Sequence, residues 1–376
     1  MVHGPKDEVS VWRRFVFPFL FVLALFVVLF LRRPDADSQT PQRQASAQAQ
    51  DALPTEVLRG QTMGTTYQIK LVTTISNSED RDALQKKIDS KLEAINDLMS
   101  TYRPNSALSK LNRNQSTEPI KLHPDFGHVV QEAVLLGKQT QGAFDVTLAP
   151  LIELWGFDKG EPRTVPPSLN EIEAAKAFTG LNRITIQSSI LQKNDPRVQI
   201  NLSGIAKGFG VDAISQILTE AGFENFMVEI GGELRVRGHN ATRNPWRLGV
   251  NRPTPESGQY EVIETVSLSN EAMATSGSYR NFFDDSGKRF HHIINPQTGF
   301  PVEHKLVSVT IIAPTCMLAD GLATAAMVLG QQQFETIRQK TYPDVAAYYI
   351  HQKAGSFEQH KSANFPSAVP VTAPSH

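Results

Sequence analysis

Asn201-Leu-Ser-Gly-Ile-Ala-Lys-Gly-Phe-Gly210 is a glycine-rich loop carrying one lysine, and its flanks give it a structural reading. Before it, Arg197-Val-Gln-Ile-Asn-Leu202 alternates apolar and polar residues and predicts a short strand. After it, Val211, Ile214, Ile217 and Leu218 recur at helical spacing until Gly222 stops the run. A strand, a glycine loop and a helix start together suit an anion, because free backbone N–H groups and the helix dipole both favour negative charge there. Glycine lets the backbone approach an oxyanion, and Lys207 adds a full positive charge. The same residues also suit a plain tight turn with a solvent-exposed lysine. Their spacing fits neither the nucleotide P-loop nor the Gly-x-Gly-x-x-Gly dinucleotide pattern.

Working outward, helical and extended patterns are interspersed. Thr65-Thr-Tyr-Gln-Ile-Lys-Leu-Val72 alternates as a strand, and residues 81–99 put Leu84, Ile88, Leu92, Ile95 and Leu98 on one helical stripe. Residues 125–139 predict a second helix, and Ser168 with Glu171 reads as a capping box. Residues 184–186 and 198–202 predict a hairpin around Asn194-Asp195, and residues 225–230 and 233–237 a strand pair bending at Gly231-Gly232. Further strands are expected at 246–250, 260–268, 290–294, 306–312 and 346–350, and helices at 317–329 and 332–339. The pattern predicts an α+β fold of mixed, mainly antiparallel sheets with packed helices.

Composition narrows the class. The chain has 376 residues, 40% hydrophobic, with a formal net charge of -1, which does not suggest a nucleic-acid binder. Cys316 is the single cysteine, so neither an internal disulfide nor a Cys-rich metal site is available. Residues 15–31 form an uninterrupted run of Phe, Leu, Val, Ala and one Pro between Arg13-Arg14 and Arg32-Arg33, near the lower limit for a membrane span. A cleaved signal peptide is the rival reading, with Ala45-Ser-Ala47 as a possible cleavage site, but the run is long and that site lies far beyond it. The expected division is a tail at 1–14, an anchor at 15–31, a disordered linker at 32–56, one body at 57–365 and a disordered tail at 366–376.

Several residues could carry chemistry. Asp320 and Thr324 are four apart on a predicted helix and share a face, an all-oxygen pair suited to Mg²⁺. The plain alternative is an acid favoured by the helix dipole and a threonine bonded to a backbone carbonyl. In Arg289-Phe-His-His-Ile-Ile-Asn-Pro-Gln-Thr-Gly299, His291 and His292 are adjacent on a predicted strand, so only one faces a given site, where it could act as a general base. Ala274-Thr-Ser-Gly-Ser-Tyr-Arg280 is a run of hydroxyls, but no serine-hydrolase elbow is present. Tyr102 and Phe144 sit beside turns and could stack on a flat ring or fill the core.

Taken in order, Met63-Gly-Thr-Thr-Tyr67, Ser100-Thr-Tyr102, Gly142-Ala-Phe-Asp145, Ser203-Gly-Ile-Ala-Lys-Gly208, Glu229-Ile-Gly-Gly-Glu233, Ala274-Thr-Ser-Gly277, His292-Ile-Ile-Asn-Pro-x-Thr-Gly299 and Ala319-Asp320 with Thr324 resemble the FAD:protein FMN transferase family. The resemblance runs from about residue 57 to 350. It implies Mg²⁺-dependent transfer of FMN from FAD to a threonine or serine of a target protein, releasing AMP. It implies FAD contacts at Met63, Tyr102, Ala143, Phe144, Asp145, Asn201, Lys207 and Ile294, and Mg²⁺ on the Gly204 carbonyl, Asp320 and Thr324. His292, not His291, matches the family histidine.

Three departures stand out. Asn201 and Asn295 occupy positions where the family commonly has an acid, and no lipobox cysteine follows the apolar run. The implied partners are FAD, the lipid bilayer, and a membrane-associated redox protein with an acceptor hydroxyl, such as a subunit of a sodium-pumping or related respiratory complex. The expected location is the bacterial cytoplasmic membrane with the body on the extracytoplasmic side. FAD hydrolysis to FMN and AMP, or FAD binding without catalysis, are the alternative activities.

Overall fold

The computed structural model describes residues 52–75, 77–158, 163–254, 261–279 and 281–369. The apolar run at 15–31 and the tail from 370 lie outside the described residues, as does nearly all of the expected linker. No helix among the described residues is long and apolar enough to cross a membrane.

In chain order the elements are β1 (Thr55–Thr62), β2 (Thr65–Val72), α1 (Ser78–Met99), α2 (Ala107–Arg113), β3 (Ile120–Lys121), α3 (Pro124–Gln139), α4 (Ala149–Leu154) and α5 (Leu169–Lys176). There follow β4 (Ile184–Gln187), β5 (Ile190–Lys193), α6 (Ala206–Glu220), β6 (Phe226–Ile230), β7 (Glu233–Arg237), β8 (Trp246–Asn251), β9 (Val262–Leu268) and β10 (Ala272–Gly277). The rest are β11 (Phe282–Asp285), β12 (Lys288–His291), β13 (Leu306–Ala313), α7 (Cys316–Leu329), α8 (Gln331–Thr341), β14 (Ala346–Lys353) and β15 (Ser356–Lys361).

The expected α+β architecture is present. One eight-stranded sheet runs β1-β2-β6-β7-β10-β13-β14-β15, with smaller sheets β3-β5-β4, β8-β9 and β11-β12. Every ladder among the described residues is antiparallel. The bend between β6 and β7 is where it was expected, at Gly231 and Gly232, whose φ values of +60° and +106° suit glycine. Helix α1 buries Ile88, Leu92, Ile95 and Met99. Helix α6 buries Val211, Ile214, Ile217 and Leu218, the residues that predicted it. Ser168 and Glu171 form the expected capping box at α5.

Helix α7 carries buried Ala319, Gly321, Ala323, Ala325 and Ala326, small residues that let it lie close against its neighbours. On α6, a Cβ at Gly208 would stand 2.4 Å from the Cys316 carbonyl oxygen at the start of α7. Gly208 is therefore a packing glycine. Gly208→Ala is expected to cost about 1–3 kcal/mol or more through forced separation of the two helices, read as a lower urea midpoint with unchanged slope.

Two expectations need correction, and one strand was not foreseen. Residues 198–202 are not a strand, and the hairpin pairs β4 with β5 instead. Its turn is Ser188-Ser189, both at positive φ (48° and 61°), not Asn194-Asp195. The stretch leading to the glycine loop buries Val198, Ile200 and Leu202, and Asn201 as well, and takes its hydrogen bonds from side chains and loops. Asn112 clasps Ile200, its Nδ2 donating to the carbonyl and its Oδ1 accepting from the amide, both at 2.8 Å. Buried Lys193 donates to the carbonyls of Asn114 (2.7 Å) and Pro196 (2.8 Å). Second, β12 ends at His291, so His292 lies just beyond the strand. The hydroxyl run at 274–280 begins inside β10, a strand the sequence pattern did not predict, which pairs with β7 and β13. The expected tail also begins late, since the Val369 amide still donates to the Thr265 carbonyl (2.9 Å).

Candidate active site

The glycine loop ends in α6, whose second residue is Lys207. Lys207 Nζ lies 2.9 Å from Glu233 Oε1 on β7 and 3.9 Å from Asp320 Oδ1 on α7. Both carboxyls are buried, Glu233 at 4% and Asp320 at 3% exposure. Burial works against the Lys207 charge, but Asp320 and Glu233 beside it outweigh that and hold the ammonium above its ordinary value. Burial in turn pushes Glu233 up to about 7, with Lys207 pulling the other way, and raises Asp320 in the same sense. One cation thus serves two buried acids. Glu233 Oε2 has no hydrogen-bond partner among the described residues.

The helix start is less open than the glycine pattern suggests. Asp320 Oδ2 accepts from the Gly208 amide (3.0 Å), and the Ala206 amide donates to the Leu202 carbonyl (2.9 Å). The positive charge offered to an anion here is mainly that of Lys207, rather than of a row of bare N–H groups.

His292 is fixed from behind. Its amide donates to the Asn281 carbonyl at 3.1 Å, and its Nδ1 lies 3.2 Å from the same oxygen. An Nδ1–H donated there leaves the Nε2 lone pair for chemistry. Burial lowers its pKa, the Asn281 carbonyl opposes this, and Lys207 lowers it further. A cluster of Trp155 with Phe283, Phe290 and Phe300 holds the β11–β12 hairpin from which His292 emerges. His291 turns the other way, buried, with Nδ1 accepting weakly from the Ile293 amide (3.4 Å). Burial and then neighbouring His292 push it down to about 4.

One cavity of about 430 Å³ brings together Tyr102, Ala143, Phe144, Asp145, Asn201, Gly204, Lys207, His292, Ile294, Asp320 and Thr324. Met63 does not line it. It lines an adjoining cavity of about 750 Å³ that shares Tyr102, Ser203 and Lys207 with the first. Tyr102 is 69% exposed at that junction, free to stack on a flat ring, whereas Phe144 is part of the buried wall. Asp145 Oδ1 accepts from the Thr147 amide (2.7 Å) and hydroxyl (2.6 Å), while burial raises its pKa.

The Asn201 side chain accepts from the Ser203 amide (2.8 Å), shaping the loop as an aspartate in its place could. Asn295 lies away from the cavity, where its side chain accepts from the Gln297 amide (2.8 Å) in a turn. The position where the family commonly has an acid is thus not part of the cavity wall.

The three residues expected to offer oxygen donors to Mg²⁺, Gly204, Asp320 and Thr324, all line this cavity. A Cβ on Gly204 would stand 3.1 Å from Thr324 Oγ1, so the Gly204 backbone and that hydroxyl are neighbours. Among the described residues Asp320 Oδ1 has one ion-pair partner, Lys207 at 3.9 Å. This set of a carbonyl, a carboxylate and a hydroxyl suits a hard cation that also holds waters and phosphate oxygens. No cluster of three or more His, Cys, Asp or Glu residues that would hold a metal alone occurs among the described residues.

Sequence reasoning missed the roles of Glu233 and the Asn281 carbonyl. An acid directly after Gly231-Gly232, opening a strand with apolar Leu234 and Val236, was the available signal for the first. Nothing local signals the second.

The sequence profile of the ApbE family matches residues 63–349. The FAD:protein FMN transferase of Vibrio cholerae is 41% identical over 308 residues, spanning 82% of this chain and 91% of the relative. That of Haemophilus influenzae is 39% identical over 313 residues, spanning 82% and 90%. The solved flavin transferase ApbE from Vibrio cholerae superposes with a TM-score of 0.75 at 40% identity, over 83% of this chain and 98% of that one. The apo flavinyl transferase ApbE of Pseudomonas stutzeri gives 0.74 at 32% identity, over 83% and 95%.

Proposed function

The chain belongs to the ApbE family, and from that membership we propose how it works as an enzyme that transfers FMN from FAD to a target protein. The observation that carries the reading is one cavity lined by a charged lysine, an oriented histidine and the oxygen-bearing residues Gly204, Asp320 and Thr324. FAD spans the two adjoining cavities, with its diphosphate at Lys207 and its flat rings against Tyr102 and the apolar walls. The acceptor is a threonine or serine hydroxyl. Its oxygen attacks the FMN phosphorus, a phosphoester bond forms, and the diphosphate bond breaks with the bridging oxygen leaving on AMP. His292 Nε2 takes the hydroxyl proton as the oxygen attacks. Lys207 stabilises negative charge on the diphosphate oxygens throughout. The Gly204 carbonyl, Asp320 and Thr324 would hold Mg²⁺, which when bound neutralises charge on the same diphosphate.

The apolar run at 15–31 anchors the chain in the cytoplasmic membrane, with the body on the extracytoplasmic side beside a membrane-associated redox acceptor. The sequence alone supports this placement.

Incubation of the full-length protein with FAD, Mg²⁺ and a candidate acceptor domain tests the activity by intact mass. The acceptor is expected to gain the mass of one FMN less one water, with AMP released in equal amount. Free FMN and AMP with an unmodified acceptor would instead favour FAD hydrolysis.

A further inference from the structure

Helices α6 and α7 exchange caps. Asp320 of α7 accepts from the Gly208 amide in the first turn of α6. In return, Asp212 of α6 accepts from the first two amides of α7, Cys316 to Oδ1 (3.0 Å) and Met317 to Oδ2 (2.9 Å). Arg235 of β7 also donates to Asp212 Oδ1, at 2.7 Å. Arg235 and Glu233 are two apart on one strand face, and each grips α6, one at Asp212 and the other at Lys207. Asp212 lines a different cavity, of about 780 Å³, that shares no residue with the substrate cavity. It lines neither of the two cavities assigned to FAD.

We infer that Asp212 is a positioning residue for the metal donors, acting by pinning the start of α7 to α6 so that Asp320 and Thr324 stand in register with Gly204. The inference rests on the metal reading given above. Asp320 and Thr324 lie one and two turns beyond Cys316, so a shift or twist of that first turn displaces both together. Gly204 belongs to the loop before α6 and does not move with them. Supporting groups behind metal ligands commonly matter by about 10–100-fold in affinity.

The test is Mn²⁺ binding to full-length protein loaded with FAD and without acceptor, followed by loss of the free-ion EPR signal. Asp212→Asn keeps size and one acceptor oxygen, and is expected to weaken Mn²⁺ binding at least about tenfold, with metal-free FAD affinity unchanged. Arg235→Gln, which leaves both capping bonds in place, should cause a smaller loss in the same direction and covers the case in which Asp212→Asn does not fold. Thr315→Ala is the control. It removes another cap on the same helix, the bond from the Leu318 amide (3.3 Å), without touching the α6–α7 clasp. It should lower stability and leave Mn²⁺ affinity as in the wild type. Equal Mn²⁺ affinity in the wild type and both clasp variants overturns the positioning role, as does an equal loss in the control. No Mn²⁺ binding by the wild type overturns the metal reading itself, and the inference with it.

Discussion

His292→Asn is expected to cut FMN transfer by about 10²–10⁴-fold while FAD and metal affinity stay near wild type. His292 faces the cavity with its Nδ1 against the Asn281 carbonyl, so Nε2 is the atom available to take the acceptor proton. An asparagine can keep the bond to that carbonyl but cannot accept a proton near neutral pH. Burial, reinforced by Lys207, lowers the His292 pKa, so the base form persists below the ordinary imidazole range. The rate should therefore fall only as pH drops below the ordinary histidine value of about 6.5, and this acid limb should vanish in the variant. His291→Asn is the internal comparison. Its ring is buried outside the cavity, so it should lose some stability and little rate. Single-turnover transfer across pH, for both variants, checks the pair. Undiminished transfer by His292→Asn would remove the general-base role.

The second large effect is expected at Asp320. Asp320→Ala removes the carboxylate proposed to hold Mg²⁺, the cap on the Gly208 amide and one of two acids facing Lys207. Divalent-ion affinity should fall by at least about 100-fold and transfer should nearly stop at ordinary Mg²⁺ concentrations. FAD should still bind in part, since the ring contacts and Lys207 remain, with Glu233 still holding the lysine at 2.9 Å. An orphaned buried amide costs about 1–3 kcal/mol, partly offset because a buried carboxyl, unfavourable enough to raise its own pKa, is gone. Thr324→Ala should act in the same direction but more mildly, since a neutral hydroxyl gives less to a hard cation. Titrating Mg²⁺ against transfer rate measures both. Normal turnover of Asp320→Ala at limiting Mg²⁺ would exclude it as a ligand.

What the sequence made legible follows from how locally each feature is encoded. Helix α6 could be read because its apolar face repeats within the helix itself, as could the β6–β7 bend, which needs only two glycines. The apolar and polar alternation of 198–202 was real, but it reports burial of the apolar residues and not a ladder partner. Here the partners are Asn112 and loop carbonyls, 88 residues away in the case of Asn112 and Ile200. Strand β10, Ala-Met-Ala-Thr-Ser-Gly, has weak intrinsic strand preference and exists because β7 and β13 flank it. Motifs brought forward most of the named residues that line the cavity. The groups that orient them were not brought forward in this way, because a backbone carbonyl at Asn281 or a carboxylate at Asp212 acts through distance in space.

The exchanged caps of α6 and α7 also bear on when the site comes into being as the chain folds. They join residues 104 and 112 apart in sequence. Loop closure of that length carries an entropic cost, so these bonds are expected to form late in folding, to be checked by substitution effects that fall on the unfolding rate. Until they form, the first turns of both helices lack their partners and Asp320 has no fixed orientation. A nascent chain can thus build most of its sheet without yet offering a place for a diphosphate. Ligands that need the finished site then act on the lifetime of the native protein and not on the speed with which it is reached.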